Sequence, residues 1–363
     1  MSKGHLRQFY QGKKIFITGH TGFKGAWLTQ ILLNWGAIVC GYSLPPNTNP
    51  NLFDELQLKN LCEHNIGDIR DINLLREKVE LFSPDIVFHL AAQPLVRDSY
   101  LDPVYTYDVN VMGTVHILEV IRECNLKAAV IVTTDKVYRN HEKDLAYQED
   151  DSLGGYDPYS NSKSCADLVV SSYISSFFNP NDFCNKHNTL IASTRSGNVI
   201  GGGDWSKDRL IPDLIRAFFV DRKDLVIRSP EAIRPWQHVL EPLYGYILLG
   251  RALFDGDLSA VGPWNFGPQL RDSLPVLEVV QMAIKQLKRG NFQIKKDNST
   301  HEAKMLKLDN SKAVKKLNWY PQFDVYKAID ASLQWYDVFY SDRTRMKEFT
   351  EQQIENYFRK VLV

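Results

Sequence analysis

The chain has 363 residues, 44% of them hydrophobic and 24% charged, with 43 Lys and Arg against 43 Asp and Glu. That balance argues against a bulk electrostatic pull toward nucleic acid or anionic lipid and leaves room only for a local basic pocket. Five cysteines, odd in number and without a CxxC spacing, argue against a disulfide framework and a zinc site and fit a reducing cytoplasm.

Met1 to His5 lead into a polar stretch without the apolar centre of a signal peptide, and no apolar run reaches membrane length. Lys14–Thr18 is a short apolar run ending at glycine and predicts a buried strand. A helical pattern follows at Ala26–Trp35, then a strand at Ala37–Tyr42. Asn73–Phe82 predicts a helix, Asp85–His89 a strand, Val104–Glu123 a helix and Ala128–Thr133 a strand. Tyr159–Phe178 predicts a long helix and Thr189–Thr194 a further strand. This alternation predicts an α/β fold, a Rossmann doubly wound parallel sheet with helices on both faces. Beyond about residue 195, Gly201-Gly202-Gly203 and frequent prolines shorten the pieces. We expect a Rossmann domain over 1–190, with chain returning around 225–265, and a smaller mixed C-terminal substrate lobe over most of 191–363. Asp324 is placed to cap an apolar-periodic helix at Val325–Tyr340.

Gly19-His20-Thr21-Gly22-Phe23-Lys24-Gly25 follows the first strand and opens the first helix. Glycines there permit a tight turn and close approach of a pyrophosphate to free helix N–H groups. The spacing is GxxGxxG rather than GxGxxG. The second strand ends Gly41-Tyr42-Ser43-Leu44, with neither an acidic side chain nor an arginine for the ribose, so the motif leaves NAD and NADP both open. Asp68-Ile69-Arg70-Asp71 either covers an adenine or caps the helix before Ile72.

Tyr159-Ser160-Asn161-Ser162-Lys163 is a YxxxK pair on one helix face. A nearby ammonium stabilises a phenolate and lowers the phenol pKa from about 10. Thr133-Thr134-Asp135-Lys136 lies at the carboxyl end of a sheet strand, where open α/β sheets place chemistry. His89 and His116 sit in apolar-periodic segments and are assigned to the core. Trp205 and Trp236 either flank a base or pack inside.

Gly19–Gly25, Leu90-Ala91-Ala92, Asn110 and Tyr159–Lys163 resemble the extended short-chain dehydrogenase/reductase family. The segments Thr18–Gly25, His89–Arg97, Gly154–Lys163, Gly197–Trp205 and Ile233–His238 are similar to the CDP-glucose 4,6-dehydratases, over roughly the first 270 residues. Val137-Tyr138-Arg139-Asn140 departs from the Cys-Tyr-acidic-Asn run of that branch. The resemblance implies a redox-neutral cycle on a nucleotide sugar. Tyr159, helped by Thr134, takes the proton of the 4-hydroxyl as C4 is oxidised by NAD. Asp135 and Lys136 then serve as acid and base for loss of water across C5 and C6, and C6 is reduced. An acid beside a Lys⁺ is a tension, because the charge lowers its pKa. The resemblance further implies a cofactor site of Gly19, Thr21, Gly22, Phe23, Lys24, Gly25, Ser43, Asp68, Ile69, Leu90, Ala91, Ala92, Gln93, Asn110, Thr133, Tyr159 and Lys163. It implies a substrate site of Gln93, Thr134, Asn198, Arg209, Leu210, Arg234 and His238, with the arginines on the diphosphate. No metal, nucleic acid or membrane partner is expected, and a homodimer or homotetramer is. The competing readings are a nucleotide-sugar 4-epimerase and a cofactor-binding protein without turnover.

Overall fold

The computed structural model describes residues 5–295 and 303–362. Six strands build most of the central sheet: β1 (Lys14–Thr18), β2 (Ile38–Ser43), β3 (Glu63–Ile66), β4 (Ile86–His89), β5 (Ala128–Val132) and β6 (Leu190–Arg195). The chain later returns to the sheet as β7 (Gly262–Asn265). The order across this seven-stranded sheet is β7-β6-β5-β4-β1-β2-β3. Every pairing is parallel. The sequence direction reverses between β1 and β4, the point at which doubly wound sheets open a crevice for ligands.

The apolar runs are apolar because the sheet is covered on both faces: β4, β5 and β6 are buried at every position. β3 was not foreseen. Its Glu-His-Asn-Ile is half exposed at the sheet edge, so it carries neither a buried run nor an alternation. The expected helix over Val104–Glu123 is interrupted. Pro103–Tyr107 and Gly113–Glu123 are α-helical, and Asp108–Met112 between them is a π turn that contains Asn110. Asp324 accepts from the Lys327 N–H and caps Val325–Ser341, as its position suggested.

After β6 the chain makes short paired strands outside the main sheet, among them Val199–Ile200 with Gln237–His238 and Ile233–Pro235 with Ser273–Pro275. The Leu240–Phe254 helix packs back on β5 and β6. Its buried Glu241 accepts from the Gln322 and Phe323 N–H groups and from the Tyr357 hydroxyl. Those donors anchor the C-terminal helices to the cofactor half, and burial pushes the carboxyl up to about 7. Trp205 packs among Trp335, Tyr336 and Phe339, so it is core and not a base-stacking wall. His89 is core as expected, with its Nδ1 2.7 Å from the Thr18 hydroxyl. His116 is half-buried, held by Nδ1 at 3.1 Å from the Ile69 carbonyl. All five cysteines are unpaired. Among the described residues no helix is long and apolar enough to cross a membrane.

Candidate active site

The glycine turn sits at the carboxyl end of β1. Gly19 has φ +76°, and a Cβ there would lie 2.7 Å from the Ala91 nitrogen. A Cβ on Gly25 would lie 2.1 Å from the Gly19 carbonyl oxygen. Both positions therefore require glycine, one for its backbone conformation and one for close approach. Gly22 precedes the Phe23–Asn34 helix without a side-chain cap, so the first N–H groups stay available to an anion. Leu90 and Ala91 donate to the Thr18 hydroxyl and, with Ala92, bring the β4 loop against the turn. At the end of β2 the Thr21 hydroxyl is 2.8 Å from that of Ser43 and donates to the Leu44 carbonyl. These features fit a dinucleotide.

Several residues assigned to ligands also hold the protein together. Asp71, not Asp68, caps the Ile72–Phe82 helix. The Asp68 carboxylate is paired with Arg70 at 2.7 Å, and Ile69 is buried against Gly113. Gln93 accepts from the Leu95 N–H and donates to the Leu95 carbonyl and the Thr106 hydroxyl. Its side chain thus closes its own loop and does not line the cavity, which corrects its assignment to substrate. The Asn110 carboxamide accepts from the Gln93 N–H and donates to the Gln93 carbonyl and to Ser162, so it fastens that loop to the Tyr159 helix. The Thr133 hydroxyl donates to Asp167 and to the Thr194 carbonyl. Asp167 in turn forms a buried pair with Arg195 at 2.8 Å, which fixes the ends of β5 and β6.

Tyr159 and Lys163 project from the Pro158–Ser176 helix, capped by Asp157 through the Ser160 N–H. Burial pushes the Tyr159 phenol up to about 12, opposed by a hydrogen bond with Thr134 and the charge of Arg209. The sequence points to Lys163 for that opposition. Its ammonium donates instead to the Val132 carbonyl at 3.1 Å, and burial, with the Lys24 charge, lowers it to about 8. Thr134 donates to Asp135 Oδ1 at 3.0 Å. Asp135 Oδ2 is buried without a hydrogen-bond partner. Burial raises the Asp135 carboxyl, opposed first by Lys136. The tension between acid and neighbouring Lys⁺ therefore resolves in favour of desolvation.

Thr134, Asp135, Lys136 and Tyr159 open on a cavity of about 860 Å3, a volume suited to a nucleotide sugar. Asn198, Arg209, Leu210 and Arg234 line it, as does Trp236. Arg209 is already paired with Asp204 at 3.1 Å. Arg234 is buried, with one guanidinium nitrogen on the Ile233 carbonyl. His238 is not at the site. It is fully buried, with its ring against Trp27 and Phe323, because the two-residue strand Gln237–His238 turns it inward.

Sequence reasoning missed three contributors. Gly197 lies directly over the Asp135 carboxyl, where a Cβ would sit 1.7 Å from Oδ2. Ser196 accepts from the Lys24 ammonium at 3.0 Å and is 2.7 Å from the Tyr246 hydroxyl. A glycine three residues beyond a predicted strand was the available signal for the first. Nothing in the sequence marks Ser196 or Tyr246.

The profile of the GDP-mannose 4,6 dehydratase family matches residues 16–331. The chain is 48% identical to a CDP-glucose 4,6-dehydratase of Salmonella typhimurium over 91% of this chain and 92% of that protein. It is 30% identical to a dTDP-D-glucose 4,6-dehydratase of Dictyostelium discoideum, over 69% of this chain and 58% of that one. Among solved structures, the epimerase Mth375 of Methanothermobacter thermautotrophicus superposes with a TM-score of 0.80 at 19% identity, covering 95% of this chain and 98% of that one. The dTDP-glucose 4,6-dehydratase DesIV of Streptomyces venezuelae, solved with NAD and TYD bound, gives 0.77 at 22% identity, covering 93% and 99%. With the profile spanning most of the chain, including the glycine turn and the Tyr–Lys helix, the protein belongs to the GDP-mannose 4,6 dehydratase family.

Proposed function

We propose that the protein is a nucleotide-sugar 4,6-dehydratase that converts CDP-glucose into CDP-4-keto-6-deoxyglucose and water, with NAD as its cofactor. The 48% identity to a CDP-glucose 4,6-dehydratase supports the nucleotide and the sugar. The observation that carries the reaction type is Asp135. A buried carboxyl with its pKa raised and one oxygen unpartnered, on the wall of the sugar cavity, is a proton donor in waiting. An epimerase has no step that uses it. NAD, held by the glycine turn and the β4 loop, would supply reversible hydride transfer at C4 and C6.

The chain's own residues do the rest. Tyr159 takes the 4-hydroxyl proton, with Thr134 orienting the phenol and the hydroxyl. The ketone at C4 acidifies the C5 proton, which Lys136 removes as the neutral amine and gives back to C5 when C6 is reduced. Asp135 gives its proton to the 6-hydroxyl, the C5–C6 double bond forms and the C6–O bond breaks, so one water leaves. Incubation with CDP-, dTDP-, UDP- and GDP-hexoses tests this reading. CDP-glucose should yield a product lighter by one water, and a product of unchanged mass would give the epimerase instead. We also infer a homodimer or homotetramer, supported by exposed Leu101, Val104 and Leu168 on adjoining helices and read by sedimentation velocity. The five unpaired cysteines support a cytoplasmic location.

Arg234 is our choice for the diphosphate, since its buried guanidinium lines the cavity. Arg234→Ala should raise KM about 10- to 100-fold, more than it lowers kcat, because diphosphate binding is shared by ground and transition states. Steady-state kinetics check it; a fall in kcat alone would move the clamp elsewhere.

A further inference from the structure

Lys24 belongs to the glycine turn by sequence, and only its backbone stays there. Its side chain crosses from the start of the Phe23–Asn34 helix to the cavity wall shared with Asp135. The ammonium donates to the Ser196 hydroxyl at 3.0 Å, and that hydroxyl is 2.7 Å from the Tyr246 hydroxyl. The same Ser196 accepts the Asp135 N–H through its carbonyl, at 3.4 Å. One residue thus fixes both groups. Lys24 forms no ion pair among the described residues, and Asp135 is the carboxylate whose charge acts on it.

We propose that Lys24 is a positioning residue for the elimination step, holding the charge that develops on the Asp135 carboxylate as it gives its proton to the leaving 6-hydroxyl. The proposal rests on the dehydratase reading above. The balance is simple. The Asp135 O–H bond breaks, the proton joins the departing oxygen as water, and a buried carboxylate is left behind. A carboxylate whose Oδ2 has no protein donor is costly in that place, and a fixed cation lowers the cost at the moment it arises. Thr134 donates to the other oxygen only.

The other charged groups around the pair are accounted for. Lys136, Arg234 and Lys24 all act on Asp135. Arg209 bears on Lys24 and is paired with Asp204. Lys163 faces the Val132 carbonyl, and Tyr159 and Tyr246 are phenols pushed up to about 12 by burial. Burial and the charge of Arg209 lower Lys24 to about 8, so at neutral pH it remains mostly an ammonium. Its charge holds Asp135 lower than burial alone would. Removing it must raise the Asp135 pKa further and move the alkaline fall of elimination, where Asp135 loses its proton, to higher pH.

The test is single-turnover kinetics of the purified protein with CDP-glucose, followed by nicotinamide absorbance across pH. In Lys24→Met, reduced cofactor should disappear roughly 10- to 100-fold more slowly, a loss well beyond any in its formation, with the alkaline limb of its disappearance moved up. Lys24→Arg should restore both the rate and the position of the limb. An unmoved limb in Lys24→Met, or equal slowing of formation and disappearance, would overturn the proposal. So would a weakened affinity for cofactor that accounts for the whole loss, measured by titration without substrate. Wild type run alongside separates this from failure of the dehydratase reading, because that failure shows as no loss of water in the wild type itself.

Discussion

Tyr159→Phe is expected to bind cofactor as the wild type does and to turn over the nucleotide sugar about 10²- to 10⁴-fold more slowly. The substitution removes one hydroxyl and leaves the ring and the helix cap in place. Its backbone N–H keeps the bond to the Ser99 hydroxyl, and the Asp157 cap is untouched. What is lost is the base for the 4-hydroxyl. Burial pushes that phenol up to about 12, so below this value the phenolate fraction rises about tenfold per pH unit. Formation of reduced cofactor in a single turnover should therefore accelerate with pH in the wild type and be flat in Tyr159→Phe. Thermal unfolding separates this from misfolding. Wild-type turnover in the folded variant would remove Tyr159 from the chemistry, and an unchanged pH slope would assign the base to another group.

The parts of this site that were legible in the sequence are those fixed by local chain geometry. Gly19 and Gly25 are glycines because a Cβ would strike Ala91 and Gly19, and that need writes a spacing into the chain. Tyr159 and Lys163 share a helix face because they stand four apart. β4, β5 and β6 show as apolar runs because both their faces are covered. What was not legible depends on where a side chain goes after leaving its element. Lys24 opens a helix in the cofactor turn, and its four-carbon stem carries the charge to Ser196 on a different strand end. His238 lies in the arginine-containing run Ile233–His238, yet a two-residue strand turns it into the core. Gln93 and Asn110 sit where ligands are expected, and bind each other because a π turn swings Asn110 onto the loop. β3 was invisible because an edge strand with half-exposed polar residues carries no period.

The largest and most specific consequence lies in the elimination pair. Asp135→Asn and Lys136→Ala should both complete oxidation at C4 and then stall, so reduced cofactor accumulates on the enzyme while the product lighter by one water does not appear. Oxidation needs Tyr159, Thr134 and Lys163, none of which is altered. In Asp135→Asn the leaving hydroxyl has no proton donor. The amide is close to isosteric with the carboxyl it replaces, and Gly197 still leaves it room, so the cavity keeps its shape. In Lys136→Ala the C5 proton has no base. Each defect should slow turnover by about 10²- to 10⁴-fold. Solvent deuterium divides the roles. Asp135→Asn can still remove and return the C5 proton, so label enters C5 of the stalled sugar. Lys136→Ala cannot, and C5 stays protiated. Mass spectrometry of sugar released after quenching reads the label directly. Equal exchange in the two variants would overturn the division of acid and base between Asp135 and Lys136. Failure of either variant to reduce cofactor, while still binding the nucleotide sugar, would place the pair in the oxidation step and remove its assignment to elimination.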